Sequence, residues 1–276
     1  MERIACEDPG WAQHGLVARQ AGLEVVPVPV DAQGLDVSVL RQSGCEAVVV
    51  TAAHQFPTGA VLSPERRAAL LEWAEDADGL IVEDDYDSEL RYDRGAVGAL
   101  QGLAPERVCM IGSLSARLAP ALRLGWMLCP SWLTGALAYE KALTDASTPA
   151  LEQLALADFI SRGELDRHLR RMRMRYGGRR KALMTSLSGA PVSGVPGGLF
   201  ALVWLPPGTD EEAVVTAAAA RGVSIEGLAG HRIGEGPPGL ILGYACLSEP
   251  ALKRGAAMLT NLVPRWTSVS KAAPAS

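Results

Sequence analysis

Short apolar runs alternate with helical patterns over the first half of the chain. Glu46-Ala-Val-Val-Val-Thr51 is a continuous apolar run of the kind that fills a strand buried on both faces. Gly79-Leu-Ile-Val-Glu-Asp84, Val108-Cys-Met-Ile-Gly112 and Leu124-Gly-Trp-Met-Leu-Cys129 read as three more strands. Leu23-Glu-Val-Val-Pro-Val-Pro-Val30 belongs near a sheet edge, because its prolines cannot donate to a ladder. Asp36 to Gln42 reads as a short helix. Ser63-Pro64 supplies an N-cap and a proline at the first helical position of a second helix, running to about Asp76. Strands alternating with helices predict βαβ units and a mainly parallel sheet, an α/β fold.

After Pro130 the pattern changes. Helical periodicity covers Pro149 to Arg162 and Glu164 to Leu187. A strand from Leu199 to Leu205, a helix opened by Asp210, a short strand near Val223, a strand from Leu240 to Cys246 and a helix from Glu249 to Leu262 follow. Helices on a small sheet predict an α+β unit. The expected organisation is a large domain over 1–145, a small α+β domain over 146–265 and a disordered tail over 266–276, where small and polar residues predominate from Thr267.

Composition narrows the function classes. The chain has 276 residues, nearly half of them apolar, so it can bury a sizeable core. A formal net charge of −5 gives no support to nucleic-acid or anionic-membrane binding. The five cysteines (Cys6, Cys45, Cys109, Cys129, Cys246) are scattered without a CxxC or Cys/His cluster. That pattern predicts no metal site and a cytoplasmic location. Cys246 is expected to be a buried small apolar residue. No signal peptide and no bilayer-length apolar run is visible, so no membrane partner is expected. In Leu165-Asp-Arg-His-Leu-Arg-Arg-Met-Arg-Met-Arg-Tyr176, the apolar positions Leu165, Leu169, Met172 and Tyr176 recur at helical spacing. The arginines then form a solvated outer stripe rather than a nucleic-acid surface.

Ligands in parallel α/β sheets sit beyond the carboxyl ends of the strands. Three polar segments fall there: Ala53-His-Gln-Phe-Pro-Thr-Gly59, Glu83-Asp-Asp-Tyr-Asp-Ser-Glu89 and the turn that begins Ser113-Leu-Ser-Ala116. The pattern sends all three toward one crevice. Each piece also has a plainer reading. The acidic run is compatible with a solvated loop, His54 with a capped loop histidine, and Arg123 with a structural ion pair. Against the first stands the cost of a carboxylate at the end of a buried strand, which needs a cationic or hydrogen-bonding partner.

Ser113-Leu-Ser-Ala-Arg-Leu-Ala-Pro-Ala-Leu-Arg-Leu-Gly125 reads like the lysine segment of a pyridoxal-phosphate (PLP) enzyme, with Ala116 where the Schiff-base lysine belongs. With this segment, Glu7-Asp-Pro-Gly-Trp11, His54 to Gly59, Val82 to Glu89, Arg170-Arg-Met-Arg-x-x-Tyr176, Gly197-Gly-Leu199 and Leu242-Gly-Tyr-Ala245 occur in one order. Together they resemble the aminotransferase-like domain of the MocR/GabR-type regulators, which fuse a winged-helix DNA-binding domain to a PLP fold-type-I domain.

The resemblance implies a set of roles. Trp11 stacks on the pyridine ring, Asp84 pairs with the ring nitrogen and Tyr86 bonds the ring hydroxyl. Ser113 and Arg123 hold the phosphate, where hydroxyl donors and a cationic fork suit it, Ser115 is a further cofactor-binding residue, and His54 sits near the ring. A homodimer with the large domain at its interface is implied as well. So is a fold lacking its winged helix and first aminotransferase elements.

The departures bear on chemistry. Ala116 carries no amine, Arg117 replaces a small hydroxyl residue, Ile241 stands where relatives carry a carboxylate-binding arginine, and Phe200 where they carry histidine. The chain has only four lysines (Lys141, Lys181, Lys253, Lys271), none near a predicted strand end. Without a nucleophilic amine the usual PLP chemistry cannot run. The expected function is a degenerate aminotransferase-like effector domain that binds a small molecule, PLP held non-covalently or an amino compound, without transaminating it. The alternatives are a PLP enzyme whose lysine was changed to Ala116, and a repurposed enzyme that works without PLP.

Overall fold

The structure, a computed structural model, describes residues 2–92, 98–187, 189–263 and 266. A seven-stranded sheet carries the first half, in the order β3-β2-β1-β4-β5-β6-β7. Its strands are β1 (Arg3–Asp8), β2 (Glu24–Asp31), β3 (Gly34–Leu35), β4 (Ala47–Val50), β5 (Leu80–Asp85), β6 (Val108–Ser113) and β7 (Gly125–Leu128). β2, β1, β4, β5 and β6 run parallel. The short β3 and the far edge strand β7 are antiparallel to their neighbours. The mostly parallel α/β fold is therefore present, with one antiparallel strand at each edge.

Alternation along the strands sorts the core into two layers. Ala5, Val48, Val50, Ile81 and Val108 meet α2 (Val37–Gln42) and α3 (Pro64–Asp76) on one face, through Leu40, Leu70 and Trp73. Ile4, Cys6, Ala47 and Val49 point to the other face, where Ala18 of α1 (Ala12–Gln20) covers them. Burial on both faces explains why these strands read as continuous apolar runs. Asp36 and Ser63 cap α2 and α3 as the sequence predicts: Asp36 accepts from Ser38 N and Val39 N, and Ser63 from Arg66 N.

Strand order reverses beside β1. From β1 the chain moves outward to β2 and β3, then crosses back to β4 on the opposite side. Such a switch point opens a crevice at the carboxyl ends of the two strands that part there. The segments after β1 and β4 enter it directly, and those after β5 and β6 lie alongside.

The second half forms a three-stranded antiparallel sheet in the order β8-β10-β9, with β8 at Phe200–Trp204, β9 at Glu226–Gly227 and β10 at Gly239–Gly243. The helices here are α6 (Glu164–Ser186), α7 (Glu211–Ala219) and α8 (Glu249–Leu262). Leu183, Val214, Leu252 and Leu259 from these helices meet Ala201, Val203, Leu240 and Leu242 in one core. Nearer its start, α6 packs Leu169 and Met172 with Leu90. Its apolar stripe is thus a packing face.

Several sequence expectations change. β1 and α1 were not predicted, because Arg3–Asp8 mixes charge with only a short apolar stretch. α4 (Ser131–Asp145) was also missed; it and α5 (Ala150–Ser161) hold no buried residue, so neither imposes a one-sided pattern. The short strand expected near Val223 lies at β9. Cys246 is exposed rather than buried, since it falls beyond the end of β10. Trp266, placed in the disordered tail, is 1% exposed; it closes the second core and donates from Nε1 to Trp204 O at 2.9 Å. Residues 267–276 lie outside the described residues.

Candidate functional site

Trp11 ends the β1 segment and forms the N-cap of α1, which places His14 one turn on. The two rings meet edge to face, with centroids 5.1 Å apart. His14 Nε2 lies 3.0 Å from Asp84 Oδ2 at the end of β5. A carboxylate accepts, so this nitrogen carries the proton. Asp84 thus has the partner that a strand-end carboxylate requires, and the bond engages Oδ2 alone. Sequence reasoning missed His14; the signal was its position three residues after Trp11 at a helix start, which puts both on one face.

Beside this pair lies a buried triad of side chains. His54 and Asp87 are 3% and 1% exposed, and Nδ1 of His54 lies 2.9 Å from Asp87 Oδ2. Tyr86 donates its hydroxyl to His54 O at 3.0 Å. Its 3.2 Å approach to Nδ1 is not a second donation, because that nitrogen gives its proton to Asp87. Burial drives the Tyr86 phenol well above its ordinary value, and Asp87 and Asp84 push it further. Tyr86 therefore stays a hydroxyl donor at neutral pH. Burial also raises Asp87, against the lowering effect of His54.

Gly198 makes this packing feasible. Its φ of +68° suits glycine, and a Cβ there would lie 2.5 Å from Asp87 Oδ2 and 2.5 Å from His54 Cε1. The backbone joining α6 to β8 therefore lies against the His54–Asp87 pair. Tyr92 N donates to Pro196 O at 3.0 Å, and Val195 N to Gly59 O at 3.0 Å, completing this seam.

Deeper in the crevice, Glu7 at the end of β1 is 6% exposed and accepts three hydrogen bonds: Thr51 N at 3.2 Å, Thr51 Oγ1 at 2.6 Å and Gln55 Nε2 at 3.1 Å. Burial nevertheless pushes its carboxyl up to about 7, the donated hydrogen bonds offsetting only part of the desolvation. Glu7 is the strut that joins the end of β1 to the loop after β4.

The turn after β6 carries Ser113, Ser115 and Ala116. Ser113 Oγ accepts from Ser115 N at 3.0 Å, a local side-chain turn that leaves its hydroxyl proton free to donate outward. The side chain at 116 is a methyl group. Arg117 next to it is buried, and each of its three guanidinium nitrogens donates a hydrogen bond. It pairs through Nε with Glu89 and through Nη2 with Asp85 Oδ2 at 3.0 Å, and donates to Ser113 O and Asp85 O at 3.2 and 2.9 Å. It also stacks 5.0 Å over the Trp126 ring. Arg117 thus staples the β6 turn to the acidic segment after β5. Arg123 closes the same turn in the left-handed region, at φ 51°, and is exposed.

The sequence-predicted residues therefore fall into linked groups. Asp84 and Trp11 meet through His14, Tyr86 and His54 touch directly, and Ser113, Ser115 and Ala116 join the acidic segment through Arg117. Arg123 is exposed and, among the described residues, makes no side-chain hydrogen bond or ion pair with the other candidates. Ile241 is buried among Leu202, Leu228, Phe56 and Phe200 in an apolar cluster, with no cationic side chain at that position. Three of the four lysines lie on α4, α6 and α8, and Lys271 is outside the described residues.

Residues 1–233 match the family described as aminotransferase class I and II. The chain is 33% identical over 260 residues to the uncharacterized HTH-type transcriptional regulator YhdI of Bacillus subtilis, covering 92% of this chain and 55% of that protein. It is 32% identical over 265 residues to the HTH-type pyridoxine biosynthesis transcriptional regulator PdxR of Corynebacterium glutamicum, covering 95% and 58%. It spans a little over half the length of these relatives. In fold it is similar to the kynurenine aminotransferase of Pyrococcus horikoshii, with a TM-score of 0.90 at 24% identity over 98% of this chain and 70% of that one.

Proposed function

The chain belongs to the aminotransferase class I and II family, and on that premise we propose that it is the small-molecule-binding, effector domain of a helix-turn-helix regulator, without transamination activity. Regulators among its relatives support the first half of this reading. The observation that carries the second is the methyl side chain of Ala116, beside an Arg117 whose guanidinium is already engaged by Asp85 and Glu89.

The side chains in the crevice fit PLP as a non-covalent ligand. Asp84 is a carboxylate held by one oxygen, suited to a protonated pyridine nitrogen. Trp11 offers an apolar face, and Tyr86 and His54 line the neighbouring wall. Ser113, Ser115 and Arg123 suit a phosphate. When bound, the cofactor supplies an electron sink; this chain supplies orientation and charge but no amine to anchor it. Ile241 in an apolar cluster offers a substrate carboxylate no counterion, which favours ligand sensing over amino-acid turnover.

A homodimer and a cytoplasmic location belong to the same reading. Exposed Trp126, Trp132, Tyr139, Leu151 and Leu154, on β7, α4 and α5, support a protein partner. Among the described residues no helix is long and apolar enough to cross a membrane.

Absorbance and borohydride trapping test the reading. The chain with added PLP should give no borohydride-stable adduct, yet bind the cofactor reversibly. Ala116→Lys should create such an adduct. A trapped adduct on Lys141, Lys181, Lys253 or Lys271 of the unchanged chain would make it an enzyme with a relocated lysine. Failure of Ala116→Lys to form any adduct would remove PLP as the ligand.

A further inference from the structure

Cys109 lies on β6, and Cys129 follows the last residue of β7. The antiparallel register pairs Met110 with Leu128 and Ser113 with Gly125, so one further step sets Cys109 directly opposite Cys129. Their sulfurs are 3.7 Å apart. Opposed antiparallel residues have Cα separations of roughly 4.5–5.5 Å, inside the roughly 4.4–6.8 Å that a disulfide spans. Closing the gap needs side-chain rotation and little backbone movement.

We propose that Cys109 and Cys129 form a redox-active dithiol, oxidised to a cross-strand disulfide by hydrogen peroxide or a small disulfide oxidant. The two sulfurs have unequal roles. Cys109 is buried, and desolvation together with Cys129 pushes its thiol up to about 12. Cys129 is partly exposed, at the end of an edge strand whose four residues are all exposed. An oxidant therefore reaches Cys129 first. With peroxide, the Cys129 thiolate attacks one oxygen and the O–O bond breaks. Cys129 becomes a sulfenic acid, and the leaving hydroxide takes up a proton as water. Cys109 Sγ then attacks Cys129 Sγ, the S–O bond breaks and the S–S bond forms. The second hydroxide leaves as water with the Cys109 proton. Two thiols are oxidised and one peroxide is reduced to two waters.

The bond closes a ring from 109 to 129 that contains Ser113, Ser115, Ala116, Arg117 and Arg123. Oxidation would therefore pin both ends of the hairpin that bears this turn. The thiol geometry holds whatever the crevice binds.

The test uses the full chain with Cys246→Ser, which removes the exposed cysteine able to link two molecules. Peroxide treatment, alkylation and peptide mapping should recover residues 109 and 129 in one linked peptide, reversed by dithiothreitol. Oxidation should raise the thermal midpoint by about 5 °C, the scale expected for closing a loop of this length. Cys129→Ser and Cys109→Ser should each abolish the shift. Peroxide that drives Cys129 to sulfinic acid while Cys109 stays alkylatable would overturn the proposal, as would a midpoint shift that survives Cys129→Ser.

Discussion

Glu7 makes stability fall as pH rises, opposite to the usual effect of a carboxylate. Its ordinary value is 4.5, and burial raises it to about 7 in the folded chain. In the intervening window the folded state keeps a proton that the unfolded state has released. Stability from this group is thus complete below about 4.5 and is lost as pH climbs through about 7. At ~1.4 kcal/mol per tenfold change in proton affinity, the loss is about 3 kcal/mol. Glu7→Gln removes the titration. It also turns an amide NH₂ toward donors, so the variant carries a cost of its own, but that cost does not vary with pH. The assay is urea unfolding of both proteins at about pH 4 and about pH 8, where other titrating groups cancel between them. The native chain should lose about 3 kcal/mol more than Glu7→Gln over that range. A difference between the two that is independent of pH would refute the reasoning, and a native chain that gains relative to the variant would reverse it.

Three other outcomes follow from the packing. Gly198→Ala should destabilise by about 3 kcal/mol, because it adds steric overlap with His54 and Asp87 to a left-handed backbone; thermal unfolding reads the loss. Arg117→Ala should cost about 3 kcal/mol by leaving Asp85 and Glu89 without their shared cation, and Arg117→Lys should restore only part of it, since one ammonium cannot serve four acceptors; equilibrium unfolding of both variants separates the cases. Trp266→Ala should cost about 4 kcal/mol through the cavity it leaves in the second core, measurable as a lowered denaturation midpoint.

Most of the sheet was legible because burial on both faces writes itself as uninterrupted apolar runs. Ala47–Val50 and Val108–Ser113 are examples, and the caps at Asp36 and Ser63 mark the helices on either side of the first. β1 was not legible, since three of its six residues are charged and one of these, Glu7, is buried by hydrogen bonds rather than by hydrophobicity. α4 escaped for the opposite reason: its apolar residues face outward, so no stripe separates a core side from a solvent side. Strand-end placement made Asp84, Tyr86, His54 and Ser113 candidates. The partners that fix them, His14 for Asp84 and Asp87 for His54, depend on side chains meeting across 70 and 33 residues. Arg117 reads from sequence as a lost hydroxyl, and only the positions of Asp85 and Glu89 reveal its use as a staple.

The far edge strand has a practical consequence in concentrated solution. Among the described residues, no strand pairs with the outer side of β7, and Trp126, Met127 and Leu128 on it are all exposed. An uncovered apolar edge is a template for another chain to add itself strand to strand. Self-association of this polypeptide at high concentration is therefore expected to start at Gly125 to Leu128. A lysine or proline set into that short stretch is the change that would keep it dispersed.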